Sequence, residues 1–296
     1  MKIRLSAIDS KMVNIAILKI ATYYLMLGHD VNWYNPLFDL DIDKLYISKI
    51  FTFSEDLLYL PNCEIIKGGT GYDIHSKLPS EIENITDVKK AYELLYPTCD
   101  YSVQFTTRGC VRNCEFCLVR QKEGLTHDVE LLTLNPDGKY IKVMDNNFFS
   151  SKTWKQRLET LKLYNQYLDF NQGIDIRTIT DEQASALGEC KIKTIHIAWD
   201  NIEDEKQVMK GIEILTKYVK PYKISCYVLV GYKSDCILDD DLYRVKKLDS
   251  LGIDPFAMGY IDYNNPYFKR SKEVKDFCRW VNMKATFKTC EWEDYS

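Results

Sequence analysis

The sequence predicts an α/β protein in which a small parallel-sheet domain precedes a partial (β/α)6 barrel of the TIM type. Short apolar segments with the pattern of buried strands alternate with longer segments whose apolar residues recur at helical spacing. This alternation is typical of parallel sheets, because parallel strands need a crossover connection that a helix usually provides. With 296 residues, 46% of them hydrophobic, the chain can build one large domain or two modest ones.

The first predicted domain covers residues 1–95. Residues 3–8 have the pattern of a buried strand, and residues 14–27 that of a helix ended by Gly28. Further candidate strands occupy residues 31–34, 45–51 and 63–66. Residues 79–100 carry two prolines and many charges, which predicts a linker.

The barrel is predicted for residues 96–265. Its six candidate strands are residues 102–107, 140–144, 173–178, 194–198, 224–230 and 256–261. In parallel barrels the chemistry lies at the carboxyl ends of the strands, so functional residues are expected there. Residues 266–296 are expected to pack on the barrel as a helix followed by an extended end.

Composition excludes several classes of protein. The net charge of -4 argues against a chain-wide electrostatic grip on nucleic acid, although lysines and aromatic residues in the tail leave nucleic acid as a candidate partner. The sequence contains no run of eighteen consecutive apolar residues, so no membrane span is expected. The first thirty residues lack a signal-peptide core, which predicts a cytoplasmic protein whose ten cysteines stay free or bind metal.

Three cysteines follow the first predicted barrel strand within eight residues: Cys110, Cys114 and Cys117. Soft thiolates select zinc, copper(I) or iron–sulfur clusters. Structural zinc needs four ligands, and electron-transfer clusters usually have four cysteines. A cluster held by three cysteines would leave one iron open for a ligand. The other seven cysteines are scattered singly.

The spacing Cys-x-x-x-Cys-x-aromatic-Cys, with Phe116 as the aromatic residue, resembles the radical S-adenosylmethionine superfamily. The resemblance implies a [4Fe-4S] cluster on the three cysteines, with S-adenosylmethionine chelated by the open iron. It also implies a flavodoxin- or ferredoxin-like electron donor. One electron would cleave the cofactor to methionine and a 5′-deoxyadenosyl radical, which abstracts hydrogen from a substrate. The sequence identifies no residue that acts on the substrate.

The resemblance also implies cofactor-binding residues at the later strand ends. These are Asp145, Asn146, Gln172, Asp175, Arg177, Asp200 and Gly231. Asp145 would accept the cofactor ammonium, Arg177 its carboxylate, and Asp175 or Gln172 a ribose hydroxyl. Asp200 would contact ribose or substrate, and the backbone at Gly231 would lie along the adenine.

Plainer roles for these residues stay open. Asp145 or Asn146 could turn the chain, as Asx residues often do. Asp175 and Arg177 could form an internal salt bridge, since polar groups within a buried strand must be paired. Asp200 could cap a helix, and Gly231 could serve a turn.

The first domain resembles the flavodoxin-like, cobalamin-binding domain that often precedes such barrels, with a glycine loop at residues 68–72. The resemblance has a clear departure, because Lys11 replaces the cobalt-binding histidine and Asn14 replaces a glycine. Histidine ligation is therefore excluded at that position, and a vestigial or repurposed domain is expected, with cobalamin bound without that histidine as the alternative. Together with residues 9–11 and 279–282, these features are similar to a subgroup of radical S-adenosylmethionine proteins of phages and anaerobic bacteria.

Three functions stay open. The first is radical modification of a nucleotide or nucleic acid, and the second is modification of a peptide or protein side chain by the same chemistry. The third is a non-catalytic interaction module that binds zinc, with His127 as the fourth ligand.

Overall fold

The computed structural model describes residues 1–263, 265 and 267–295. The chain is a mixed α/β protein with a four-stranded and a six-stranded sheet, and the predicted α/β class is confirmed. It divides into two compact units, residues 1–104 with 130–141, and residues 105–129 with 142–296.

The first unit contains a parallel sheet of order β2-β1-β3-β4. Its strands are β1 (Lys2–Ala7), β2 (Asp30–Trp33), β3 (Lys44–Ser48) and β4 (Glu64–Gly68), and β5 (Tyr101–Gln104) also belongs to this unit. Its helices are α1 (Ile15–Met26), α2 (Ser80–Glu83) and α3 (Lys89–Leu95). Asn14, the residue in place of the motif glycine, caps α1 by accepting a 3.2 Å hydrogen bond from the Ile17 amide.

The predicted linker at residues 79–100 is wrong, because this segment forms α2 and α3. Ile82, Ala91 and Tyr92 on these helices are at most 3% exposed. Glu83 accepts a 2.8 Å hydrogen bond from the Lys19 ammonium on α1. The charges that suggested a linker instead lie on the solvent side of two short helices.

The second unit carries most of the six-stranded sheet, whose order is β12-β11-β10-β9-β8-β5. Its strands are β6 (Thr107–Arg108), β7 (His127–Asp128), β8 (Tyr140–Val143), β9 (Tyr167–Phe170), β10 (Ile192–Ala198), β11 (Ile224–Val230) and β12 (Asp254–Gly259). Its helices are α4 (Val119–Glu123), α5 (Trp154–Leu163), α6 (Asp181–Gly188), α7 (Glu205–Thr216), α8 (Asp239–Ser250), α9 (Lys272–Asn282) and α10 (Lys284–Thr289). Strands β9 to β12 each pair in parallel with the next, and β8 begins within the first unit.

The third predicted barrel strand, residues 173–178, is also wrong. The strand is β9, and residues 176–178 form a 3₁₀ turn after it. Gly173 has φ +105°, and a Cβ there would lie 2.5 Å from the His196 carbonyl oxygen. Ile174 and Ile176 alternate with polar residues as in a strand, and this pattern led to the wrong prediction. The acidic Asp169 interrupts the apolar pattern of β9, so that strand was not predicted.

The tail packs against the edge strand of the sheet. One face of α9 buries Val274, Phe277 and Trp280. The Asn282 amide accepts a 2.8 Å hydrogen bond from the Ala257 backbone N–H and donates a 3.0 Å bond to its carbonyl. Instead of the expected extended end, α10 and a 3₁₀ turn at Trp292–Asp294 follow.

Across the described ranges, no helix combines the length and the apolar character that a membrane crossing requires.

Gly211 allows α7 to approach the turn after β9. A Cβ at this position would lie 1.9 Å from the Ile176 carbonyl oxygen. Alanine is the better helix former, yet such a clash forces a backbone shift. We expect Gly211→Ala to lower the free energy of unfolding by about 1–3 kcal/mol in urea titrations.

The matched control is Gly68→Ala, whose Cβ would meet only the Ser76 hydroxyl at 3.5 Å. Stabilisation by Gly211→Ala, the result that helix propensity alone predicts, would contradict this packing.

Candidate metal centre at the cysteine loop

The three cysteines lie on a loop that a short hairpin closes. Strands β6 and β7 pair antiparallel, with Arg108 opposite His127. The Cys110 amide donates to the Gly124 carbonyl at 3.1 Å, which joins the two arms of the loop. Gly109 has φ +80°, and a Cβ there would lie 2.4 Å from the Leu125 carbonyl oxygen. Only glycine therefore fits at the start of the loop.

The carboxylate of Glu123, at the end of α4, fastens this loop. It accepts hydrogen bonds from the Gly109 amide at 2.9 Å, the Arg108 guanidinium at 2.6 Å and the Asn146 amide at 3.0 Å. Arg120 adds a 3.0 Å bond to the Cys110 carbonyl. Asn146, a predicted cofactor residue, thus supports the loop. Glu123 was not predicted, because no sequence pattern marks a carboxylate that bonds residues fourteen and more positions away.

Asp145 ties the end of β8 to the segment that enters the loop. The residue is 1% exposed, and its carboxylate accepts bonds from the Thr106 amide at 2.7 Å, the Thr106 hydroxyl at 2.5 Å and the Thr107 hydroxyl at 2.7 Å. Burial raises the pKa of Asp145 against the effect of these donors. The threonines enclose the carboxylate, and its role toward a cofactor ammonium stays a prediction.

The three thiols interact with one another electrostatically. Cys110 and Cys114 are half-buried, and Cys117 is exposed. Burial raises the pKa of the Cys114 thiol, and the negative charge of Cys117 raises it further. Although Cys117 is exposed as a residue, the groups around its sulfur displace water and raise its pKa, with a further contribution from Cys110. Thiolates that repel each other in this way are the kind of donor set that a positively charged metal centre stabilises.

The donor set fits an iron–sulfur cluster by its chemistry, since these clusters are held by cysteine thiolates. Within the described residues, no group of three or more His, Cys, Asp or Glu side chains is arranged to hold a metal ion. His127, the zinc ligand of the alternative hypothesis, is exposed, and its Nδ1 lies 3.0 Å from the Leu125 carbonyl oxygen.

A network of charges connects the cysteine loop to the turn after β9. Arg112 of the loop donates to Asp175 at 2.8 Å, and Arg177 donates to the other oxygen of Asp175, also at 2.8 Å. Arg177 also bonds Asp204 at 2.8 Å. Burial opposes ionisation of Asp175, but Arg177 and Arg112 outweigh it and hold its pKa below the usual value. The internal salt bridge considered for Asp175 and Arg177 is therefore present.

A cavity of about 350 Å³ borders the loop and the carboxyl ends of two strands. Phe116 of the loop, Asp200 after β10 and Gly231 after β11 line it together. Gln172 does not line this cavity; it is exposed in the segment after β9.

Asp200 and Arg244 are two of the charged residues that line the cavity. Burial raises the pKa of Asp200 to about 6, although the nearby Arg177 and Arg244 favour its ionised form. Arg244, 4% exposed on α8, donates to the carbonyls of Trp199 at 2.7 Å and Leu229 at 2.9 Å. This arginine ties the ends of β10 and β11 together. Arg244 was not predicted. The sequence feature that could have identified it is its position directly before Val245, within the apolar stripe of a helix.

The site thus gathers most of the predicted residues. Asp145 and Asn146 lie at the base of the cysteine loop, Asp175 pairs with an arginine of the loop, and Asp200 and Gly231 line the neighbouring cavity. Comparison with known protein families and with curated proteins finds no match to this chain. The function is therefore argued from the chemistry of these side chains.

Loss of the Glu123 carboxylate is expected to loosen the loop. Glu123→Ala removes the acceptor of the Gly109 amide, a bond to a charged group worth about 1.5–3 kcal/mol. We expect amide hydrogen exchange in the peptide that contains Gly109 to accelerate by about tenfold or more. Glu130→Ala, at an exposed position, is the control. Unchanged exchange in both variants would show that Glu123 does not hold the loop.

Asp200 is expected to make stability depend on pH in protein prepared without iron. Its folded-state pKa of about 6 lies above the ordinary 3.8. Between pH ~4 and ~6 the folded protein keeps a proton that the unfolded chain releases, so the free energy of unfolding falls as pH rises and stays lower above pH 6.

We expect Asp200→Asn to remove this decrease and to be more stable than the native chain at pH 7 by roughly 1–3 kcal/mol, with little difference near pH ~4. Urea titrations across this range measure the effect, and the exposed Asp235→Asn provides the control. Parallel stability curves for the native chain and Asp200→Asn would refute the raised pKa.

Proposed function

We propose that the chain is a radical S-adenosylmethionine enzyme whose [4Fe-4S] cluster binds to Cys110, Cys114 and Cys117. One observation carries the proposal. A three-thiol loop, fastened beside the carboxyl ends of parallel strands, borders a cavity of about 350 Å³ that Phe116 also lines. We interpret the six-stranded sheet as a partial (β/α)6 barrel and the four-stranded sheet as its flavodoxin-like companion.

When bound, such a cluster would supply the electron, received from a flavodoxin- or ferredoxin-like donor, that cleaves S-adenosylmethionine to methionine and a 5′-deoxyadenosyl radical. This radical would take a hydrogen atom from the substrate. The residues of the chain hold and orient the reactants. The thiolates of Cys110, Cys114 and Cys117 would hold three irons of the cluster and would leave the fourth for the cofactor. Arg177, close enough to lower the pKa of Cys114, contributes positive charge beside the thiolates.

The cavity suits the nucleoside part of the cofactor. Its volume lies at the lower end of the range for small-molecule pockets, which is roughly 300–1,000 Å³. Phe116 supplies an aromatic surface, Gly231 allows close approach of a ring to the backbone, and Asp200 can accept a hydrogen bond from a ribose hydroxyl. Arg244 acts indirectly, since its bonds to two strand-end carbonyls position the cavity wall.

The charge network changes the role that we propose for Arg177. Its guanidinium already donates to Asp175 and Asp204, so binding a cofactor carboxylate would require it to exchange partners. We therefore propose that Arg112, Asp175 and Arg177 position the cysteine loop, with the cofactor carboxylate as a second partner of Arg177.

Cobalamin is not part of the proposal. Lys11 is exposed where a cobalt ligand would be needed. The glycine loop packs on its own chain, because a Cβ at Gly69 would lie 2.4 Å from the Lys49 carbonyl oxygen and one at Gly71 would lie 2.7 Å from that of Phe51. This packing alone accounts for both glycines.

The substrate we favour is a nucleotide or nucleic acid, with a peptide or protein side chain as the alternative for the same chemistry. The tail gives the nucleic acid little support, because several of its basic residues pair with acidic neighbours. Lys284 bonds Asp254, Lys288 bonds Asp249, and Lys272 lies 3.2 Å from Asp276. The observation that favours a nucleotide lies on the open face of the six-stranded sheet, described below.

The test is anaerobic reconstitution with iron and sulfide, followed by reductant and S-adenosylmethionine. We expect binding of four irons and formation of 5′-deoxyadenosine, with product formation abolished in Cys114→Ala. Cys63→Ala in the first unit, which removes another half-buried thiol, should leave it unchanged. Protein that holds four irons and is reduced, yet never cleaves the cofactor, would overturn the proposal. Colourless protein with one bound zinc would favour the interaction module.

A further inference from the structure

The six-stranded sheet has one sealed face and one partly open face. Along β10 and β11, Ile195, Ile197, Cys226 and Val228 are at most 1% exposed. The residues between them, including His196 and Tyr227, point to the opposite face and are only half-buried. The open face therefore keeps surface that a ligand could cover.

A continuous row of side chains crosses this open face. The Asp169 carboxylate lies 3.8 Å from His196 Nδ1. The His196 ring stacks on Tyr227, with centroids 5.0 Å apart and planes inclined by 16°. Tyr227 in turn meets the edge of Phe256 at 5.8 Å. The row joins an acid, an imidazole and two aromatic rings from four neighbouring strands.

Asp169 is the unusual member of the row. It is 6% exposed, and its Oδ1 has no hydrogen-bond partner among the described residues. Burial accordingly raises the pKa of Asp169, although the nearby Lys142 and Lys193 favour its ionised form. An unpaired buried carboxylate oxygen destabilises a fold, so a donor is expected to reach it.

His196 contributes a second acceptor. Its Nδ1 lies 3.1 Å from the Phe170 carbonyl oxygen, and because a carbonyl only accepts, Nδ1 carries the hydrogen. Burial lowers the pKa of His196, so the ring is neutral near pH 7 and its Nε2 is an acceptor. A carboxylate oxygen and an imidazole nitrogen therefore offer two neighbouring acceptors, which suit a ligand with N–H donors.

The far end of the row is apolar. Phe256 is 42% exposed and Met258 is 47% exposed. These residues lie two apart on β12 and so share a face. Neighbouring strands lie about 4.8 Å apart, so this end of the face is roughly 14 Å from Asp169 on β9 and beyond the reach of a ring whose edge donates to Asp169.

We propose that this open face binds a planar nitrogen heterocycle with adjacent N–H donors, as on the edge of guanine. Asp169 and His196 would accept the donors, and Tyr227, which stacks on His196, would contact the ring. The inference rests on the proposed function in one respect. It takes this ligand to be the substrate from which the radical abstracts hydrogen. Binding itself requires neither cluster nor S-adenosylmethionine.

The experiment is calorimetric titration of the full chain, prepared without iron, with guanosine and with 1-methylguanosine. The methyl group removes one ring donor, and we expect it to weaken binding by about tenfold or more. Asp169→Asn should weaken guanosine binding by about tenfold or more as well. Glu182→Gln, the same carboxylate-to-amide change at an exposed position of α6, should bind guanosine like the native chain.

Thermal unfolding of Asp169→Asn separates binding from a structural role. Since the carboxylate is unpaired, the neutral amide should leave the melting temperature equal or higher. A lower melting temperature would show that Asp169 serves the fold and would overturn the site. Absence of guanosine binding, or equal binding by native chain and Asp169→Asn, would overturn it too.

Formation of 5′-deoxyadenosine without added substrate distinguishes this inference from the proposed function. If guanosine binding depends on Asp169 while the cofactor is never cleaved, the binding site stands and the enzyme proposal fails. If the cofactor is cleaved equally by the native chain and Asp169→Asn and guanosine does not bind, the enzyme proposal stands and this site fails.

Discussion

The carboxylate of Glu123 joins three groups that would otherwise be free to separate. Through it the first amide of the cysteine loop, the arginine before that amide and the amide of Asn146 share one anion. Charge-assisted bonds of this kind are stronger than neutral ones, and they act here at a single point of entry into the loop. Every arrangement of the three thiols depends on this attachment.

Two other carboxylates also bind the loop or the residues that lead into it. Asp145 holds the residues before the loop, and Asp175 holds Arg112 within it. Each works from a different strand end, so the loop is attached to the sheet at separate places. A loop supported in this way loses little further conformational entropy when it acquires a ligand.

The sequence predicted the elements whose signals are local. The cysteine spacing and the apolar strands β10 and β11 needed only short windows, and both could be located. Strand β9 could not, because its Asp169 breaks the apolar pattern and the residues after it alternate as a strand would. Glu123 and Arg244 escaped prediction for a different reason. Most of their partners lie fourteen or more positions away along the chain, and only the folded structure brings them together.

The Asn282 amide, which bonds both backbone groups of Ala257, affects the tendency of copies of this protein to aggregate. An outer strand with free backbone groups is a template on which another chain can add a strand, and such addition leads to aggregation. By occupying one pair of these groups, the side chain imitates a neighbouring strand for the length of a single residue. A small amide thereby helps to end the sheet at β12, and it does so without adding charge to that edge.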